Sequence, residues 1–250
     1  MEAKSELRGL LREADEEELT RLLAERADEL EPNVARHAFR NPFLTGLHVE
    51  SLAAMPRLAT SYEVRREMVA HARTPRALAL QHVAGLYWSD LVRIGADTHV
   101  HPLVRVAADR RLIERLPGLA VGEKIAIARI CGAAVIAALR GDPTPRVLGA
   151  LLDNPRLTEG LLAPFAANER ASPRTLAILA ASPRWSSRLA LRRALCRNPA
   201  TPLADSLRLS STLTAPDLAA IVADPRLPAA LRRHARELAG SRRTRPAKGD

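Results

Sequence analysis

Residues 52–108 lie over residues 179–235 without a gap and agree at 19 of 57 positions. The shared positions include Pro56/Pro183, Arg66/Arg193, Thr74/Thr201, Leu86/Leu213, Asp90/Asp217 and Asp97/Asp224. One-third identity over an ungapped stretch of this length exceeds what composition produces, so any fold for this chain has to hold one unit twice in tandem. Upstream the offset falls from 127 to 113, where VARHAFRNPFLT (Val34–Thr45) lies over VLGALLDNPRLT (Val147–Thr158). The second copy therefore carries a 14-residue insertion between Gly160 and Pro173, either a further helix or a loop. On this reading copy one covers about residues 32–116 and copy two about 145–240, with a linker and helix at 117–144.

Within each copy, proline sets the punctuation. Ten of the 18 prolines directly follow Ser, Thr, Asp or Asn, among them Pro42, Pro75, Pro145, Pro155, Pro173, Pro183 and Pro199. A short polar side chain can cap first-turn amides, and proline at the first helical position gives up an N–H that had no partner, so each dipeptide is read as a helix start. Apolar residues three and four apart follow, as in Leu227, Leu231, Ala235 and Leu238. No comparable run alternates with period two. The expected fold is all-α: an α-solenoid of short helical hairpins, in two tandem copies of a larger unit.

Composition agrees. The chain is 47% hydrophobic but only 3% aromatic, so its core must come from Leu, Ala, Val and Ile, which suits closely packed helices. Two cysteines, Cys131 and Cys196, exclude a disulfide framework and a multi-cysteine metal site. Residues 1–31 hold eleven acidic and five basic side chains, and are read as an acidic N-terminal capping helix centred on Asp15–Arg26. They leave a strongly basic body. The last ten residues, SRRTRPAKGD, are read as a basic disordered tail at 241–250, after Gly240 ends the last helix. The N-terminus shows no apolar run with a small-residue cleavage site, and ICGAAVIAAL (Ile130–Leu139) is about half the length a membrane span needs. The expected location is cytoplasmic, with no membrane partner.

The string SPRWSSRLALRRALCRNPATPLADSL (Ser182–Leu207) and its weaker echo MPRLATSYEVRREMVAHARTPRALAL (Met55–Leu80) resemble bacterial HEAT-like repeats. They are especially similar to the leucine-rich repeat variant class, in which (D/N)-P-x-x-x-V-R-x-x-(V/L)-A-x-N-P-x-T-P recurs. The resemblance covers roughly Asn33 to Gly240 and implies an ARM-like superhelix, usually a protein-binding scaffold and sometimes a nucleic-acid binder. The chain lacks the N-terminal cysteine cluster of that class, which removes any implied iron–sulfur role.

Candidate chemistry is sparse. Asp90/Asp217 and Asp97/Asp224 recur in both copies, which suits helix caps better than catalysis. Asp97-Thr98-His99-Val100-His101 places three possible metal ligands at alternate positions, but the aligned Asp224-Pro225-Arg226-Leu227-Pro228 keeps only the aspartate, and no third histidine or cysteine stands at metal spacing. Cys131 and Cys196 fall in apolar helical runs and read as buried, inert thiols. No cofactor is expected.

The arginines remain. Arg188, Arg192, Arg193 and Arg197 form two i,i+4 rows on one helix, with Arg65 and Arg66 as first-copy counterparts of the middle two; Arg105, Arg110, Arg111 and Arg115 form another dense group. All but Arg115 are the candidate binding residues, a basic face for phosphates or an acidic partner. The competing reading is a solvated face with salt bridges to Glu63, Glu67, Asp90 and Asp217. The leading functional expectation is a non-enzymatic scaffold binding a protein or peptide. The second is a nucleic-acid-binding solenoid, with a distant resemblance to HEAT-like DNA glycosylases in which Tyr87-Trp88-Ser89-Asp90 would set aromatics beside a carboxylate.

Overall fold

A computed structural model describes residues 2–243; the tail beyond Arg243 lies outside the described residues. The chain divides into two compact units, Met1–Gly118 and Leu119–Asp250. Every regular element among the described residues is a helix.

The first unit contains α1 (Glu2–Glu13), α2 (Glu16–Glu25), α3 (Pro32–Ala35), α4 (Gly46–Ala54), α5 (Pro56–Ala59), α6 (Tyr62–Ala70), α7 (Arg76–Val83), α8 (Trp88–Ala96) and α9 (Pro102–Arg115). The second contains α10 (Val121–Ile130), α11 (Ala133–Leu139), α12 (Pro145–Leu152), α13 (Glu159–Ala166), α14 (Pro173–Ala181), α15 (Pro183–Ser186), α16 (Leu189–Arg197), α17 (Leu203–Ser210), α18 (Ala215–Ala223) and α19 (Ala229–Arg243). From α4 to α9 every helix start recurs 127 residues later in α14 to α19, as does every helix end but the last. The starts of α3 and α12 differ by 113 residues. The insertion is thus a helix, α13, with the turn that follows it.

Two sequence expectations need correction. Residues 1–31 form two helices rather than one cap, and Leu7, Leu11, Leu19 and Leu23 lie buried in the same apolar cluster as Val34, Val49 and Leu52. Burying each leucine is worth roughly 1.5–3 kcal/mol, so this acidic segment is core, with its carboxylates on the outer face. Residues 117–144 are not a linker either. They hold α10 and α11, whose buried Ala128, Cys131 and Ile136 stand 117 residues after the buried Leu11, Ala14 and Leu19. The last helix also runs past Gly240 to Arg243.

Helices this short leave many terminal carbonyls unpaired, and the turns supply the missing donors. Asn41 is buried; its Nδ2 donates to Leu11 O at 3.1 Å and Ala14 O at 2.8 Å, while its Oδ1 accepts from Phe43 N at 2.7 Å. Asn154 does the same with Ala128 O (2.8 Å), Cys131 O (3.1 Å) and Arg156 N (2.8 Å). Asn198 does so with Ala166 O (2.8 Å), Asn168 O (2.9 Å) and Ala200 N (2.9 Å). Each carboxamide fixes its own turn and ties it to the end of a helix about 30 residues upstream.

Arginines repeat the device nearer the surface. Arg73 reaches Leu44 O (2.9 Å), Arg115 reaches Leu86 O (2.6 Å) and Ala84 O (2.7 Å), Arg156 reaches Ile130 O (3.0 Å), and Arg208 reaches Ala180 O (2.8 Å). Trp185 Nε1 donates to Leu152 O at 3.0 Å, with the Arg184 guanidinium over its ring.

The Asn-Pro pairs therefore mark turns rather than helix starts. Of the polar-proline pairs, Thr144-Pro145, Ser172-Pro173 and Ser182-Pro183 do open helices, but through the proline, since none of these hydroxyls bonds a first-turn amide. Replacing Asn154 by Leu removes both donors and leaves two buried carbonyls without them, so urea unfolding is expected to show a loss of about 3 kcal/mol. A loss under about 1 kcal/mol would contradict the assignment.

Candidate functional site

Most of the nine candidate arginines are already engaged. In the first unit Arg66 pairs with Glu67 at 2.9 Å; Arg110 and Arg111 both reach Glu114, at 3.3 and 3.0 Å. Arg65 is half-buried with its Nε unpaired, its guanidinium lying over Gly85. In the second unit Arg188 stands at the N-cap of α16, Arg192 donates to Thr212 Oγ1 at 2.6 Å, and Arg193 pairs with Asp217 at 2.7 Å. Arg197 is exposed beside that row.

The recurring aspartates have structural partners. Asp217 accepts from Thr214 Oγ1 at 2.5 Å and Thr214 N at 3.3 Å, closing a capping box. Burial pushes its carboxyl up, but the bonds from Thr214 and Arg193 outweigh that and hold it below the usual range. Asp90 accepts a hydrogen bond from the Tyr62 hydroxyl, whose oxygen also accepts from Tyr87 N at 3.1 Å. Burial, then Asp90, pushes the Tyr62 phenol up to about 12. A carboxylate engaged in this way is not poised over a substrate.

Asp97 Oδ1 accepts from His99 N at 2.9 Å, and His101 Nδ1 accepts from Leu103 N at 3.2 Å, so that segment is a turn followed by a helix cap. Among the described residues no group of three or more His, Cys, Asp or Glu could hold a metal ion. Both cysteines are buried, and burial pushes the Cys196 thiol up to about 12.

Comparing the units locates what the sequence did not reveal. The inserted α13 turns Gly160, Ala163, Pro164 and Ala167 to one side, at i, i+3, i+4 and i+7, and α16 faces them with Arg193, Ala194 and Arg197. Between lies a cleft of about 620 Å³, closed at one end by Glu169 and Arg226. Small side chains leave the cleft open, and its edge is cationic. Arg226 is neutralised by Glu169 (2.5 Å) and Asp224 (2.7 Å), and its hydrogen bond holds the Asp224 carboxyl at about 2. Arg193 is paired with Asp217. Arg197 has no carboxylate in ion-pair range among the described residues, and its charge reaches the Asp224 carboxylate only through space.

At the equivalent places of α6 stand Glu67 and Ala70, where α16 has Ala194 and Arg197, so neither the opening nor Arg197 belongs to the duplicated framework. Arg193 and Arg197 were candidates from sequence; the apolar wall was not, because small residues three and four apart read as ordinary helix packing. No protein-family model matches the chain, and no curated protein or solved structure matches it significantly.

One candidate marks a stability cost. Arg105 Nε and Asp109 Oδ1, one turn apart on α9, are both buried without a partner. Burial raises the Asp109 carboxyl, which lies against Gly95, where a Cβ would fall 2.1 Å from Oδ1. With its folded pKa above the unfolded value, Asp109 binds its proton more tightly in the folded state; the cost is full at neutral pH and fades as pH falls through that pKa. Asp109→Asn is therefore expected to stabilise the protein by about 1 kcal/mol at pH 7 and by less near pH 4, read by thermal unfolding at both. Destabilisation at pH 7 would refute this.

Proposed function

We propose that this chain is a non-enzymatic helical-repeat scaffold of the HEAT-like, leucine-rich repeat variant kind. It binds a protein partner by holding an extended, acidic peptide segment in the cleft between α13 and α16. The repeat reading is supported by the buried asparagines and the arginine-to-carbonyl bonds, which tie successive turns to helix ends about 30 residues upstream. The binding reading rests on one observation: the inserted helix creates an open cleft edged by Arg197, which makes no ion pair among the described residues. A main chain fits against Gly160, Ala163 and Ala167 where bulky side chains are missing, and a carboxylate on it would meet Arg197, with Arg193 alongside.

Duplex nucleic acid is a weaker fit. Arg66, Arg110, Arg111 and Arg193 already hold carboxylates, and Tyr62 occupies the carboxylate that a glycosylase-like site would need.

The test is selection of displayed decapeptides on the purified protein, with affinities then measured by fluorescence anisotropy. Acidic sequences are expected. A Cβ at Gly160 meets little, so Gly160→Phe fills the cleft at small cost to the fold and should abolish binding, while Arg197→Gln should weaken it at least ~tenfold. Selection of peptides with no acidic preference, or affinities unchanged in both variants, would overturn the proposal. Tighter, steeply salt-dependent binding of duplex DNA would favour the nucleic-acid reading instead.

A further inference from the structure

A second cationic site lies in the first unit, among residues that the repeat pattern does not single out. Arg12 Nε donates to His37 Nδ1 at 2.8 Å, which requires a neutral imidazole with its proton on Nε2. Burial lowers the proton affinity of His37, and the charges of Arg12, Arg40, Arg8 and Arg36 lower it further. Arg12 from α1 thus contacts the imidazole, with Arg36 and Arg40 beside it and the field of Arg8 acting on it.

Beside it is a small cleft of about 110 Å³, lined by Asn33, Arg36, His37, Arg40 and Glu67. That is about the space of three or four water molecules. Glu67, the acidic member, is held between Arg36 at 3.0 Å and Arg66 at 2.9 Å, and Arg36 also takes Glu63 at 2.5 Å. Those carboxylates are committed to Arg36 and Arg66, and neither Arg8 nor Arg40 makes an ion pair among the described residues. The Nε atoms of Arg8 and Arg36 are buried and unpaired.

The framework does not require this cluster. At the equivalent places of the second unit stand Ile125 for Arg8, Gly149 for Arg36, Ala150 for His37 and Asp153 for Arg40; Arg12 alone keeps an arginine there, Arg129. Arg36 and Arg40 against the single carboxylate of Glu67 leave the cleft net cationic, and neither arginine has a counterpart in the second unit.

We propose that this cleft binds a single phosphoryl group as a dianion, held by Arg40 and Arg36 with Asn33 and the His37 Nε2–H as further donors, while Arg12, bonded to His37 from α1, fixes the imidazole. Guanidinium forks match the oxygens of such a group, and the volume admits one tetrahedral oxyanion rather than a nucleic-acid strand. The group can belong to free phosphate or to a phosphorylated residue. The site is independent of the α13–α16 cleft.

The test is titration of the full chain with inorganic phosphate, and separately with O-phosphoserine, at constant ionic strength set by sodium chloride. It is followed by phosphorus NMR line width and by the His37 imidazole resonances, assigned by their loss in His37→Gln. Saturable binding that moves the His37 signals and leaves those of exposed His99 in place is expected. Arg40→Gln, at an exposed position, should weaken it at least ~tenfold, and Arg8→Gln, acting through its field alone, by less, with Arg197→Gln unchanged. Tighter binding of O-phosphoserine would identify a phosphorylated residue as the ligand; tighter binding of inorganic phosphate would identify the free ion. Equal response to sulfate, acetate and phosphate, unchanged affinity in Arg40→Gln, or loss of binding in Arg197→Gln would each overturn the proposal. That last result would leave the peptide cleft untouched.

Discussion

A carboxamide that pairs two buried carbonyls with one nitrogen is the interaction on which the rest of this structure depends. Helices of four to fifteen residues are too short to satisfy their own ends, and with few aromatics the core is built mainly from aliphatic side chains. Hydrophobic contact between such helices fixes their separation better than their register. Asn41, Asn154 and Asn198 fix the register, because each can make its bonds only when its turn sits over the end of one particular upstream helix. The arginine bonds to Leu44, Leu86, Ile130 and Ala180 carry the same restraint outward.

Duplication makes the molecule its own comparison. What recurs at the constant offset is framework: the turns at Asp97 and Asp224 and the helix limits themselves. What differs is free to serve something else. The second unit gained α13 and with it the cleft beside Arg197; the first has a cluster of arginines at His37. Each feature brings arginines together where the other unit has mostly other residues at the equivalent places.

The sequence made the helical class, the tandem copy and the length of the insertion legible, because these show in proline placement, apolar spacing and ungapped identity. Three things escaped it. The segments at 1–31 and 117–144 have equivalent buried positions filled by different letters, Leu11 against Ala128 and Ala14 against Cys131, so identity cannot relate them. Asn-Pro was read as a helix start because the dipeptide is compatible with both a cap and a turn, and only the carbonyls 30 residues away decide between them. The arginines chosen for density proved mostly paired, Arg115 among them with helix-end carbonyls, whereas Arg73 and Arg208 hold the fold without belonging to a dense group and are recognised only by the helix end they meet.

The most direct test of this account is side-chain amide hydrogen exchange, read by NMR on the five asparagines of the chain. Asn41, Asn154 and Asn198 are buried and bonded to two carbonyls each, while Asn33 and Asn168 are exposed. If the carboxamide bridges hold the turns to the helix ends, the first three should exchange at least ~100-fold more slowly than the other two. Exchange at a common rate for all five would mean that the bridges open freely in solution, and that something other than them sets the register.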